Sequence, residues 1–520
     1  MYLGQLITKN ILKMKKYISI KFLLILSVLG LVFTSCVDEK QWEIDPTPAP
    51  PALTNGNANF STYVAVGNSL TAGFTDGALF IAGQDHSIPK LLADKFANAG
   101  GGAFTIPYMN DNIGGLTFGG NVIQNPRLFF NGSGPAVLPA TPTTELTNNP
   151  GPYNNMGVPG AKSYHLLAPG YGNLAGVPLG LANPYYARMA TSASSTVLGD
   201  AVSMNPTFFS LWVGANDVLP YAMGGGTGTN QTGNFDPSTY GADDISDPNV
   251  FAGAYSQTID ALTANGANGV VLNIPYVNSL PYFTTVPFNP VPLDAATAAQ
   301  LNGAFATYNG GVQQVLAGLV AANAITQEMA DAEMAKRHIE FVAGKNPVTI
   351  VDEYLMDLTS FGVPNYRMAT ADDYIMLPGK DFIGTTVAGN PQFINGVSVP
   401  LADNWVLSKD EVDEVKTATD AYNTTIQGIA TAKGLAFVDV NELMQELASN
   451  GLQFDQFTMT NQYLVGNAFS LDGIHPTARG NAFIANKILK AIDATYGSNF
   501  EASGNLNKVA DFTTLYPANL

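Results

Sequence analysis

Short apolar, β-branched runs recur along this chain, each ending in a turn, with stretches of helical periodicity between them. Thr62-Tyr63-Val64-Ala65-Val66 ends at Gly67-Asn68-Ser69, and Ile88, Leu91, Leu92 and Phe96 follow at helical spacing. Residues 208–213 end at Gly214-Ala215-Asn216-Asp217, and residues 269–274 end at Pro275. Residues 435–440 form a further strand candidate, preceded by a helix-like stretch over 408–433. The last predicted helix, 479–496, gathers Phe483, Ile484, Ile488 and Ile492 on one face and turns Asn486, Lys487 and Lys490 outward. Strands that are apolar on both faces and alternate with helices predict an α/β fold with a parallel sheet covered on both sides. Ligands of such sheets bind at the carboxyl ends of the strands, where both Ser69 and Asn216 fall.

Three regions break the alternation. Residues 37–58 contain Pro46-Thr47-Pro48-Ala49-Pro50-Pro51, a run that predicts a stiff, extended spacer before a folded part at 59–520. Residues 221–249 are rich in Gly, Thr and Asn, and within them Gly224-Gly225-Gly226-Thr227-Gly228 reads as a flexible surface loop, since it lacks the Lys-Ser/Thr of a phosphate loop. Residues 283–400 carry helical patterns of their own between 295 and 340, as a cap over the site or a peripheral stabilising insertion. Tyr282, Phe283 and Phe288 are candidates for an acyl pocket, though aromatic residues near prolines also serve ordinary packing.

The first 36 residues change the expected location. Lys15 and Lys16 precede an apolar run over 22–33, too short to span a bilayer comfortably, and Thr34-Ser35 leads into Cys36, the sole cysteine. This is the layout of a lipoprotein signal peptide, 1–36, with Cys36 lipidated after cleavage. It predicts a cell-envelope protein anchored in a membrane by lipid, at the outer membrane, and Val37-Asp38-Glu39 resembles the export signal of surface-displayed lipoproteins. Removing the five lysines of residues 1–36 takes the formal charge from −18 to −23, which excludes nucleic acid as a partner. With one cysteine and four scattered histidines, no metal-ligand spacing arises, so neither metal nor cofactor is expected.

Among those histidines, only His475 has an acid three residues before it, in Asp472-Gly473-Ile474-His475-Pro476. An acid and an imidazole on one short loop, with a serine on a tight turn elsewhere, are the parts of a Ser-His-Asp triad. Taken singly the parts are ordinary: Ser69 reads as a helix N-cap, Asn216-Asp217 as a strand-end turn, Gly160 as a turn glycine, Asp472 as a cap on the last helix, and His475 as structural. Four blocks in order are less ordinary, namely Gly67-Asn68-Ser69-Leu70-Thr71-Ala72-Gly73, Asn155-Met156-Gly157-Val158-Pro159-Gly160, Gly214-Ala215-Asn216-Asp217 and Asp472-Gly473-Ile474-His475-Pro476.

In these four blocks the chain resembles the GDSL/SGNH hydrolase family, over residues 59–496. The resemblance implies a flavodoxin-like three-layer α/β/α fold with a mostly parallel sheet and long insertions. It also implies a serine ester hydrolase, esterase- or lipase-like, that works through an acyl-enzyme. Carried over by position, Ser69 is the nucleophile, His475 the general base and then acid, and Asp472 its orienting partner. The Ser69 and Gly160 backbone N–H groups and the Asn216 amide form the oxyanion hole. Asn68 departs from the aspartate usual in the first block. The substrate expected is an ester: lipid, short acyl ester or acetylated carbohydrate. The alternative, to which Asn68 alone points, is a catalytically inactive surface lipoprotein that binds glycan or lipid on a hydrolase fold.

Overall fold

Five strands, β1 (Tyr63–Gly67), β2 (Asn155–Gly157), β3 (Phe208–Trp212), β4 (Asn268–Leu272) and β5 (Ala436–Val438), pair in parallel in the order 2-1-3-4-5. This computed structural model describes residues 49–520; the predicted signal segment with Cys36, and the linker as far as residue 48, lie outside the described residues. The strand order is one of the two common doubly wound arrangements, in which the chain leaves β1 first toward one edge and then toward the other. That switch opens a crevice beside β1, at the carboxyl end where Ser69 begins.

Apolar residues on both strand faces account for the covering helices. Val64 and Val66 join one buried cluster with Phe209, Leu211 and Val271. Tyr63 and Ala65 join another with Phe208, Trp212 and Val270. The short helix that carries Ser69, α1 (Ser69–Ala72), and the longer helices α2 (Ile88–Ala97), α3 (Val197–Ser203), α4 (Pro248–Thr263), α5 (Ala295–Ala321), α6 (Gln327–Arg337), α7 (Lys409–Lys433), α8 (Val440–Ser449) and α9 (Ala478–Tyr496) are accompanied by several of four or five residues. α3, α4 and α7 contribute to the first cluster through residues such as Ala201, Tyr255 and Tyr422. α2, α8 and α9 contribute to the second through Leu92, Leu447 and Ile488. Period-two alternation on the strands thus matches the helical stripes from either side.

Four sequence expectations need correction. Residues 52–58 pack on the folded unit and are not a free spacer: the Asn57 N–H donates to the Tyr496 carbonyl, the Thr54 N–H to Asn499, and Ala58 is buried. Asn486 is buried, because its amide pairs with Asn507 and needs no water. The glycine run is packed and not flexible: a Cβ at Gly225 would meet the Asp403 carbonyl at 2.2 Å and one at Gly226 would meet the Glu411 side chain at 2.2 Å. Phe283 is fully buried in the first cluster and Phe288 packs in the insertion, so neither lines the cavity beside Ser69.

The insertion predicted at 283–400 does have a core of its own. α5 and α6 form a helical pair with a small cluster around Val312, Leu316 and Leu358, and a second cluster gathers Phe305, Ile350 and Val406. Arg367 ties this region to α7, with a bidentate pair to Asp373 at 2.7 and 2.8 Å, while Asp373 also accepts the Lys409 N–H. A further long excursion, residues 98–154, was not legible as an insertion. It holds two small antiparallel hairpins, Leu116–Phe118 with Asn121–Gln124 and Leu128–Phe130 with Pro135–Val137.

Candidate functional site

The site begins with the tight exit from β1. Asn68 is buried and its side-chain oxygen accepts the Leu70 N–H at 3.0 Å, capping α1 and presenting Ser69 at the helix start. Thus the unusual Asn68 does the work of an N-cap. β2 lies tight against the same turn: a Cβ at Gly157 would fall 2.3 Å from the Ala72 backbone nitrogen. Gly157→Ala is therefore expected to push α1 and Ser69 outward and to cost about 1–3 kcal/mol. Thermal melting with kcat and KM measured on the folded fraction checks this, and an unchanged kcat would show that the contact does not place Ser69.

From the other end of the chain, Asp472 and His475 arrive on one loop just ahead of α9. His475 Nε2 lies 2.9 Å from Ser69 Oγ, and His475 Nδ1 lies 2.9 Å from Asp472 Oδ2. An ionised carboxylate only accepts, so Nδ1 carries the hydrogen and the Nε2 lone pair faces the serine hydroxyl. Asp472 stays ionised. Burial alone would raise its pKa, but the His475 side chain and the Ile474 and His475 N–H groups draw it down to about 2. Those N–H groups donate to Oδ1 at 2.9 and 2.8 Å, and the Phe74 ring lies 4.8 Å from the imidazole, tilted across it.

A segment that sequence reasoning overlooked holds this loop. The Thr75 hydroxyl donates to the Pro476 carbonyl at 3.0 Å, the Asp76 N–H to Ser470 Oγ at 3.1 Å, and the Gly77 N–H to Asp472 Oδ2 at 2.9 Å. In return, the Leu471 N–H donates to Asp76 Oδ1 at 2.9 Å, and Ser470 Oγ donates to Asp472 Oδ1 at 3.0 Å. Thr75-Asp76-Gly77 is thus a strap joining the serine turn to the acid and base. No spacing rule could have found it, because 395 residues separate Asp76 from Leu471.

Asn216 leaves β3 on a short turn and is buried. One N–H of its amide donates to the Ala161 carbonyl at 3.0 Å, and the neighbouring Asp217 accepts the Ser163 N–H at 2.9 Å and hydroxyl at 2.8 Å. The Asn216 turn is therefore stitched to the segment carrying Gly160, whose φ of +81° suits glycine. Lys162 on that segment donates to the Asp244 carbonyl at 2.7 Å, which docks the 221–249 region beside it.

Ser69, Asn216 and His475 share the wall of one narrow cavity of about 90 Å³, otherwise lined almost wholly by apolar side chains. Asp472 stands behind His475, and Gly160 lies outside the cavity wall, one residue from the carbonyl that Asn216 holds. A hydroxyl, an oriented imidazole, a carboxylate and an amide beside an apolar hollow can together deprotonate an oxygen nucleophile against an ester. Among the described residues, no group of His, Cys, Asp and Glu is placed to hold a metal ion, and no helix is long and apolar enough to cross a membrane.

No curated protein and no solved structure matches the chain. The four blocks, three of which reach the wall of this cavity, all lie within one continuous family match. Over residues 63–488 the chain fits the model of the GDSL-like lipase/acylhydrolases, and it belongs to that family.

Proposed function

We propose that this protein is a carboxylic ester hydrolase that works through an acyl-enzyme on Ser69. The observation that carries the reading is the relay from Ser69 Oγ through His475 to Asp472, with both links at 2.9 Å. As Ser69 Oγ adds to the ester carbonyl, its proton passes to His475 Nε2, and Asp472 stabilises the imidazolium. Negative charge moves to the carbonyl oxygen. The Ser69 N–H and the second N–H of the Asn216 amide, both on the cavity wall, are the donors assigned to it, each worth on the order of 3 kcal/mol in the transition state, and the family resemblance adds the Gly160 N–H from just beyond that wall. Collapse breaks the bond to the alcohol, which leaves with the proton from His475. Water then repeats the sequence on the acyl-enzyme and releases the acid.

The fold assigned to this chemistry is the flavodoxin-like three-layer α/β/α arrangement, supported by strand order 2-1-3-4-5 and by apolar clusters on both faces of the sheet. Location follows from the sequence alone: lipid on Cys36, with the body held at the outer membrane by the segment that follows. Nothing at the site favours an inactive binding protein, since Asn68 supplies a helix cap and leaves the relay whole. A fluorophosphonate probe should label the purified full-length protein at Ser69, as read by peptide mass spectrometry, and p-nitrophenyl esters should be turned over. Failure of both would overturn the proposal.

A further inference from the structure

The loop that carries Asp472 and His475 is held from two sides. On one side is the strap Thr75-Asp76-Gly77, and on the other is the first turn of α9, where Arg479 follows His475. Residues 512–518, which lie beyond the family match over 63–488, reach both. At α9, the Arg479 N–H donates to the Thr513 carbonyl at 3.2 Å, and the Arg479 guanidinium donates to the Phe512 carbonyl at 3.2 Å.

The reach to the strap goes through Arg127, which is fully buried. A guanidinium carries its N–H donors in one rigid fork. Those of Arg127 go to backbone carbonyls alone: Nε to Asn112 at 2.7 Å, Nη1 to Leu128 at 3.3 Å and Tyr516 at 3.5 Å, and Nη2 to Pro517 at 2.6 Å and Ala518 at 3.3 Å. Most of these acceptors thus come from residues 516–518. Leu128, whose carbonyl Arg127 holds, donates its own N–H to the Asp76 carbonyl at 2.7 Å. Tyr516 pins the segment beside the fork, with its ring edge-on to Phe80 at 5.1 Å and its hydroxyl donating to the Ala82 carbonyl at 3.2 Å.

We propose, on the footing that Asp472 and His475 form the working relay, that residues 512–518 are a latch that positions their loop, and that Arg127 is the positioning residue that transmits this hold to the strap. A buried guanidinium keeps its place only while its N–H groups are satisfied. With 516–518 gone, Arg127 turns toward Asp76, which it attracts and whose Oδ2 has no partner among the described residues. That movement draws Asp76 away from the Leu471 N–H, one residue before Asp472. Only Phe512 and Tyr516 of the segment are buried, while Thr513, Leu515 and Pro517 are exposed, so the latch can lift while the sheet stays folded.

The test compares full-length protein with a variant ending at Asp511, both assayed on p-nitrophenyl butyrate. Misplacing catalytic groups by about 1 Å costs on the order of a hundredfold, so kcat should fall by roughly ten- to a hundredfold while KM stays within about twofold. A synthetic peptide of residues 512–520, added in excess, should restore kcat toward wild type, which a general loss of stability would not allow. Arg127→Lys in the full-length chain should show the same split of kcat from KM, because an ammonium has no fork to span these carbonyls. Should the variant ending at Asp511 not fold, one ending at Leu515 keeps Phe512 and the bonds to Arg479 and removes only acceptors of Arg127.

A folded truncated variant with wild-type kcat would overturn the latch while leaving the hydrolase reading intact. Should no form of the protein turn over an ester, hydrogen exchange decides independently. Residues 75–77 and 470–476 should exchange faster in the truncated variant than in full-length protein, with β1 and β3 unchanged. Equal protection of the loop in both proteins, or loosening spread evenly over the sheet, sinks the proposal.

Discussion

Ser69→Ala is expected to lower kcat by on the order of 10⁶, His475→Ala by a similar factor, and the double variant by no more than either alone. The reason is that the two side chains act as one device. Without the imidazole, the Ser69 hydroxyl keeps its proton; without the hydroxyl, the imidazole has nothing to activate. Asp472→Asn should cost less, about 10⁴, for a reason visible in the local bonds. The carboxamide oxygen would remain where the Ile474 and His475 N–H groups donate, turning its NH₂ toward His475 Nδ1 and toward the Gly77 N–H that now donates to Oδ2. Nδ1 would then accept, Nε2 would carry the hydrogen, and a protonated Nε2 cannot take the serine proton. Initial rates on one p-nitrophenyl ester, with fluorophosphonate labelling of each variant, measure these effects. A double variant as much slower than its parents as the product of their losses would show that Ser69 and His475 do not work together.

The second expected result concerns the strap and the dependence of stability on pH. Asp76 is 1% exposed, and its Oδ2 has no hydrogen-bond partner among the described residues. Burial, aided by the Asp472 charge and opposed by the Leu471 N–H, Arg127 and His475, pushes its carboxyl up to about 7. An unfolded chain would release the same proton near pH 4. Between about pH 4 and pH 7 the folded state holds a proton that the unfolded state has lost, so this group's contribution to stability is complete below the window, falls as pH rises through it, and levels off above. Three units set a ceiling of about 4 kcal/mol. Asp472 has the opposite sign: held at about 2, it contributes stability above pH 4 that is lost on further acidification.

Asp76→Asn isolates the first of these. Asparagine keeps an oxygen for the Leu471 N–H, tolerates the φ of 51° found at this position, and cannot ionise. Urea denaturation should find the variant more stable than wild type at pH 8, by up to about 4 kcal/mol, and within about 1 kcal/mol of it at pH 4. A difference that does not change with pH would show that Asp76 holds no proton in the folded protein.

How much of this was legible in advance depended on the range of the signal. β1, β3, β4 and β5 and the helices α2, α7 and α9 stood out because each is a local pattern, apolar on the faces that the sheet or core covers. β2 did not, being three residues of Asn-Met-Gly whose strand character comes from pairing with β1. The hairpins of residues 98–154 are equally short and lack alternation long enough to register. Asn486 and the glycines at 225 and 226 were misplaced for a related reason: polarity and glycine content predict exposure only when no partner waits across the fold, and Asn507, Asp403 and Glu411 are such partners.

The candidate chemistry divides along the same line. Residue types and their spacing raised Ser69, Asp472 and His475 as candidates, because an oxygen nucleophile, a base and its acid must be such side chains on such turns, while Gly160 and Asn216 were added by the resemblance of four ordered blocks to the GDSL/SGNH family. Tertiary structure alone decided that Ser69 and His475 meet at 2.9 Å across 406 positions, that Thr75, Asp76 and Gly77 clamp the loop between them, and that α8 and α9 enclose an apolar hollow at the serine. Local pattern is written in neighbours along the chain, whereas a strap and a cavity exist only once distant segments pack, and no spacing records which of them will touch.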